Sequence, residues 1–174
     1  MSEKSYWYAL YTKPRWEKKV HSLLLQRGFE AYCPLNRVRK EWSDRTKWIE
    51  EPLFKSYVFV RIPEKEQINV RMVGGVVNFV YWLGRPAMLK DKEIQTIRDF
   101  LRDHADVTVE PIGLKKEDKV TIRKGILMTR EGKVLQVLNN KVRVVIDSIG
   151  YALVATLDKS NVKVLERQSV KNII

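Results

Sequence analysis

Glu51-Pro52-Leu53-Phe54-Lys55-Ser56-Tyr57-Val58-Phe59-Val60 ends in a strand with no polar face. Side chains alternate across a strand, so Val58, Val60 and Ile62 point one way and Tyr57, Phe59 and Arg61 the other. One apolar face suffices to pack a core. The aromatic face needs a cover of its own. Either a helix of the same chain supplies it, making this a central strand between two layers, or a partner protein does.

Working outward toward the N-terminus, Tyr6 to Thr12 alternates and is rich in aromatics, which predicts a strand. Pro14 suits the first turn of a helix. Trp16, Val20, Leu23 and Leu24 then recur at helical spacing, and Gly28 is expected to close the helix in a left-handed conformation. The opposite face carries Arg15, Lys18, Lys19, Ser22 and Gln26, so this is an amphipathic helix with a basic outer side. Phe29 to Leu35 reads as a strand. Arg37 to Trp42 and Thr46 to Glu50 flank the turn-forming Ser43-Asp44-Arg45, predicting a projecting hairpin that bears Trp42 and Trp48.

Beyond Ile62, Glu64 to Val73 can form a short helix with Ile68 and Met72 inward, broken by Gly74-Gly75. Val76 to Trp82 reads as a strand. Asp91 can cap a helix to about His104 whose apolar positions are Ile94, Ile97, Phe100 and Leu101. Periodicity lapses over 106–116, a linker by pattern. Five short strands are then expected, near Lys119–Arg123, Gly132–Leu138, Lys141–Ile146, Ala152–Leu157 and Val162–Leu165, enough for a small β-barrel. The fold class expected is α+β. An N-terminal domain of antiparallel sheet and helices spans 1–105 and a barrel spans 117–168, followed by a tail at 169–174.

The chain has 174 residues and a formal charge of +12. Up to Ala105 there are 20 Lys/Arg against 13 Asp/Glu, and from Asp106 onward 13 against 8, so both halves are basic. Such a field favours polyanionic partners and says little about fold. No apolar run approaches the roughly 20 residues that cross a bilayer, and the first residues lack the apolar core of a signal peptide. No membrane association and a cytoplasmic location are expected.

Catalytic chemistry finds no constellation in the sequence. The single cysteine, Cys33, sits in a predicted strand beside Pro34, and His21 and His104 lie on predicted helices without ligands at metal spacing. Glu50 and Glu51 are consecutive, so on a strand they point to opposite faces. Gly74-Gly75 lacks the spacing and lysine of a phosphate loop. No enzyme, no cofactor and no metal are expected.

Three stretches resemble one family. Trp7-Tyr8-Ala9-Leu10-Tyr11-Thr12-Lys13 entering a basic helix, the Glu51–Val60 stretch, and Val70-Arg71-Met72-Val73-Gly74-Gly75-Val76-Val77-Asn78-Phe79-Val80 are similar to the N-terminal domain of NusG-family transcription elongation and antitermination factors. The segment from Glu117 through Gly125 and Gly132-Lys133-Val134 to Leu165 resembles the KOW-type β-barrel that succeeds it in that family. The Glu-Pro-Leu-Phe word and the short hairpin look like the specialised RfaH-like and UpxY-like paralogues, which serve long operons.

The resemblance implies a monomer whose aromatic patch sits on the clamp helices of the largest RNA polymerase subunit. By position that patch would be Tyr11, Phe54, Tyr57, Phe59, Ile94 and Ile97. It also implies that Lys13, Arg15, Lys18 and Lys19 face the non-template DNA strand, and that the barrel binds a ribosomal small-subunit protein or Rho. The rival expectation is a KOW-bearing RNA-binding protein of the ribosome. Exposure of Phe54, Tyr57 and Phe59 favours polymerase; burial of all three favours RNA.

Overall fold

Strand β1 (Tyr6–Thr12) runs through the middle of the first unit, with buried Trp7, Tyr8, Ala9 and Leu10 in sequence. A strand can hide four consecutive side chains only where both faces are covered. The computed structural model describes residues 3–82, 84–112, 126–128, 134–138 and 141–156. By its contacts the chain divides into two units, Met1–Ala105 and Asp106–Ile174.

In the first unit, β1 leads to α1 (Glu17–Gln26), β2 (Glu30–Tyr32), β3 (Leu35–Trp42), β4 (Arg45–Pro52) and β5 (Tyr57–Ile62). A 3-10 turn leads into α2 (Gln67–Arg71) and then β6 (Val76–Phe79). Two short pairs come next: β7 (Tyr81–Trp82) with β8 (Arg85–Pro86), and β9 (Met88–Leu89) against β1. Helix α3 (Asp91–Asp103) completes the unit. The main sheet is antiparallel in the order β2-β5-β1-β6, with β9 pairing β1 off that path. Tyr6 faces Ile62 and Tyr11 faces Tyr57 across the β1–β5 ladder.

One face of this sheet presents Tyr8, Leu10, Val58, Val60, Ile62 and Phe79 to Val20 and Leu24 of α1 and Val70 of α2. Tyr8 meets Phe79 edge-on at 5.6 Å. The other face carries Trp7, Ala9 and Phe59, all buried. Its cover is α3, whose Ile94, Ile97 and Phe100 are buried at three-residue spacing and whose Arg98 guanidinium lies 4.8 Å from the Tyr32 ring and 6.0 Å from Trp7. A helix of the same chain therefore covers most of the aromatic face. Each large side chain sealed this way contributes roughly 1.5–3 kcal/mol.

Several elements depart from the sequence reading. The hairpin ladder is longer than expected, running from the Leu35–Pro52 pair to Trp42–Arg45 around a two-residue loop, Ser43-Asp44. Helix α1 begins at Glu17 rather than at Pro14, because Arg15 takes φ 66° and interrupts helical geometry. In α2 it is Val70, with Val73 just beyond, that turns inward; Ile68 and Met72 are exposed. The helix is only about one turn long, so the path of the chain through Val73 into β6 sets its inward face. The strand expected over Val76–Trp82 divides at Val80, which is buried.

Gly75 has a specific task. Its φ is +88°, and a Cβ there would lie 2.5 Å from Trp16 Cε3 and 2.8 Å from Val20 Cγ2. Its carbonyl accepts from the Lys13 N–H at 2.9 Å. Only glycine lets this turn approach the start of α1 so closely.

The second unit is an antiparallel sheet in the order β10-β14-β13-β12-β11, comprising Thr108–Pro111, Tyr151–Thr156, Lys141–Ile146, Val134–Leu138 and Ile126–Met128. Val142, Val144 and Ile146 alternate inward, and a 3-10 turn over Asp147–Ile149 reverses through Gly150 at φ 69°. The linker reading of 106–116 is corrected at Thr108–Pro111, where the backbone pairs with β14. That stretch satisfies its hydrogen bonds from a distant strand, so local periodicity had no reason to show it. The strands expected at Lys119–Arg123 and Val162–Leu165 lie outside the described residues, as does the tail at 169–174. Among the described residues no helix is long and apolar enough to cross a membrane.

Candidate functional site

The C-terminal end of β1 is where the sheet escapes the cover of α3. Tyr57, Tyr11 and Asn78 stand opposite one another on β5, β1 and β6, so their side chains share one face. Tyr11 is 40% exposed and Asn78 is exposed. The Tyr57 hydroxyl donates to the Tyr11 oxygen at 3.2 Å, and their rings meet edge-on at 5.0 Å. Behind Tyr57, the Phe54 ring stacks at 6.2 Å. Exposed phenol thus rests on a packed aromatic base.

Backbone ties hold this end rigid. The Thr12 N–H donates to Ser56 O at 2.9 Å, and the Ser56 N–H donates to the buried Glu17 carboxylate at 2.8 Å. Ser56 takes φ 62°. Glu17 therefore fastens the loop that carries Phe54 to the first turn of α1. A carboxylate at that position also complements the helix dipole.

Lys13, Arg15, Lys18 and Lys19 are all exposed around the start of α1. Lys13 and Lys19 place their ammonium groups 5.3 and 4.2 Å from the Trp16 ring centroid, one on a turn and one on the helix. Lys18 donates to Glu50 O at 2.9 Å. A groove of about 520 Å³ is lined by Pro14, Arg15, Lys18, Pro52 and Lys55, with Glu17 and Glu51. Lys13 follows Tyr11 by two residues, so β1 leads from the exposed tyrosine directly into this basic segment.

Five of the six residues of the patch expected from the sequence are buried within the first unit. Phe59 and Ile97 are 0% exposed, Ile94 is 2%, Phe54 is 4% and Tyr57 is 7%. Phe59 lies between Tyr32, stacked at 6.5 Å, and Phe54, edge-on at 5.7 Å, beneath the helix that supplies the two isoleucines. Parity placed Tyr57 and Phe59 on the second face correctly; the cover turned out to be internal. Of the six, Tyr11 alone is exposed.

The sequence reading missed Asn78, Lys55 and Glu17. Asn78 could have been reached by extending the Tyr11 row onto β6, whereas Glu17 shows its role only through the hydrogen bond it accepts from the distant Ser56 N–H. Tyr32 is pushed up to about 12, by burial first and against the opposing pull of Arg98. Burial likewise pushes the Cys33 thiol up to about 11, with the Glu17 charge adding to the effect. A protonated, buried thiol is a poor nucleophile. Trp42 and Trp48 on the hairpin are 50% and 53% exposed.

The chain has relatives among known proteins. Residues 5–98 match the family model described as NusG, transcription termination factor. The chain is 31% identical over 166 residues to the transcription termination/antitermination protein NusG of Streptococcus pyogenes serotypes M3 and M1. That alignment covers 87% of this chain and 92% of theirs. A solved structure of Thermotoga maritima NusG, described for its domain interaction, is similar at 19% identity and a TM-score of 0.45. It spans 89% of this chain and 98% of that one.

Proposed function

The chain belongs to the NusG family of transcription termination/antitermination factors, which are not enzymes, and from that premise we propose that it rides on RNA polymerase through the Tyr11 end of its main sheet. The contact is the exposed Tyr11 ring, with Asn78 beside it and Tyr57 and Phe54 as its rigid base. Its counterpart is the clamp helices of the largest polymerase subunit. Lys13, Arg15, Lys18 and Lys19, on the same end, face the non-template strand and hold it through phosphate attraction.

The observation that carries this reading is an exposed, backed tyrosine near the end of β1, where the chain runs on into four exposed cations between Lys13 and Lys19. A protein surface and a polyanion can be engaged there together. Bound across the cleft, the unit biases polymerase toward a closed clamp and suppresses pausing or termination, because a ligand shifts an equilibrium only through differential affinity. The domain at 1–105 is the polymerase-binding part. The second unit, whose sheet includes Thr108–Pro111, serves as the KOW-type module that recruits a ribosomal small-subunit protein or Rho. The Glu51–Phe54 word supports service on particular long operons, in the manner of the specialised paralogues.

Burial of Phe54, Tyr57 and Phe59 favours the rival, an RNA-binding protein of the ribosome. One experiment separates them. Purified core polymerase is titrated with the intact protein and with Tyr11→Ala, and ribosomal RNA is titrated in parallel. The transcription reading expects polymerase binding that Tyr11→Ala weakens by about 1–3 kcal/mol, as interface anchors do. Tight RNA binding without polymerase binding would overturn it.

A further inference from the structure

The β3–β4 hairpin looks nearly neutral in sequence, with five cations and four acids from Arg37 to Glu51. Its register sorts those charges. Directly opposed residues share a face, so Asn36, Val38, Lys40 and Trp42 lie with Glu51, Ile49, Lys47 and Arg45. The other face takes Arg37, Arg39 and Glu41 with Glu50, Trp48 and Thr46. The second face balances two cations against two acids. The first carries three cations in its outer half, and its one acid, Glu51, at the base.

Two details of the first face concern a ligand. Lys40 stands opposite Lys47, an arrangement that destabilises a ladder. The ion pair from Lys40 to Glu51 is long, 3.9 Å between half-exposed groups, and such pairs contribute little. Next to this doublet, Trp42 is 50% exposed and the Arg45 guanidinium sits 5.3 Å from its ring. The half-buried Val38–Ile49 pair anchors the base of the same face. The tip thus offers a stacking surface flanked by unbalanced positive charge, with the Lys40–Lys47 opposition costing the ladder some stability.

We propose that the Lys40–Lys47–Trp42–Arg45 face of the hairpin is a binding site for single-stranded nucleic acid. An unpaired base stacks on the Trp42 indole while Lys40, Lys47 and Arg45 hold the adjoining phosphates. Base–aromatic stacking tolerates any sequence, because every base has a π-face. A duplex offers no free face to the indole. The site lies on different elements from the cluster at the start of α1, and it does not depend on polymerase binding.

The test uses the full chain and fluorescein-labelled 12-mers of deoxythymidine and of uridine, with a duplex of equal length as comparison. Trp42→Ala is expected to weaken single-strand binding about tenfold. Lys40→Gln with Lys47→Gln is expected to lower the salt slope by about 1.4, at roughly 0.7 per phosphate contact. Trp48→Ala, and Arg37→Gln with Arg39→Gln, remove the same residue types from the opposite face and are expected to leave affinity within about twofold. All four variants change exposed positions, and circular dichroism checks each fold. Unchanged binding by the first two, or equal losses from the second two, overturns the proposal. Equal losses on single strand and duplex overturn its single-strand assignment.

Discussion

The aromatics of β5 and those of the β3–β4 hairpin meet opposite fates. Phe59 is wholly buried, whereas Trp42 and Trp48 are about half exposed, although all three sit on antiparallel strands of the same unit. The difference lies in layers. The β5 strand has α1 and α2 on one side and α3 on the other, while the hairpin pairs only with itself. An aromatic on a two-stranded ribbon stays wet unless something outside the fold covers it. Aromatic content alone therefore says nothing about interface; the number of layers decides.

The largest expected effect comes from removing a layered aromatic. Phe59→Ala should cost about 3–5 kcal/mol in chemical denaturation, and Trp42→Ala or Trp48→Ala should stay within about 0.5 kcal/mol. Equal losses would break the contrast. Phe54→Ala and Tyr57→Ala fall on the costly side as well, so Tyr11→Ala is the cleaner probe of binding.

A second contrast lies between neighbours. Gly75→Ala meets Trp16 at 2.5 Å and a positive φ, and should cost about 1–3 kcal/mol. Gly74→Ala meets only Leu23 Cδ1 at 4.0 Å and should be near neutral. A thermal melt of each variant checks this, and a Gly74→Ala loss as large as that of Gly75→Ala would mean the close approach to α1 is not what fixes the turn.

The smallest effect is protonic. Cys33 has its thiol raised by burial from 9.0 to about 11, so folding favours the neutral form. Its contribution to stability is fully present below pH 9 and is lost as pH rises from there through about 11. Melting temperature should fall more over that window in the wild type than in Cys33→Val. Parallel curves would remove the thiol from the account of alkaline stability.

Much of the first unit was legible because it obeys simple periods. Val58, Val60 and Ile62 on one face of β5, and Ile94, Ile97 and Phe100 along α3, were readable from spacing of two and of three. Ile68 and Met72 were misplaced because one helical turn is too short for a period to orient it. Exposure of Phe59 was misjudged because α3, which carries Ile94 and Ile97, returns from far along the chain to cover β5. The paired stretch Thr108–Pro111 gave no local signal, since its partner is β14. The basic residues of α1 were legible outright, whereas Glu17 and Ser56 meet only through the tertiary fold.

The most direct measurement is photo-crosslinking from single sites in the intact protein bound to core polymerase. A benzophenone amino acid replaces Tyr11 in one sample and Trp48, on the hairpin, in another. If the Tyr11 end is the docking surface, the first sample crosslinks strongly to the largest polymerase subunit and the second crosslinks to it weakly or not at all. Strong crosslinking from Trp48 with none from Tyr11 would contradict the central claim and move the interface to the hairpin.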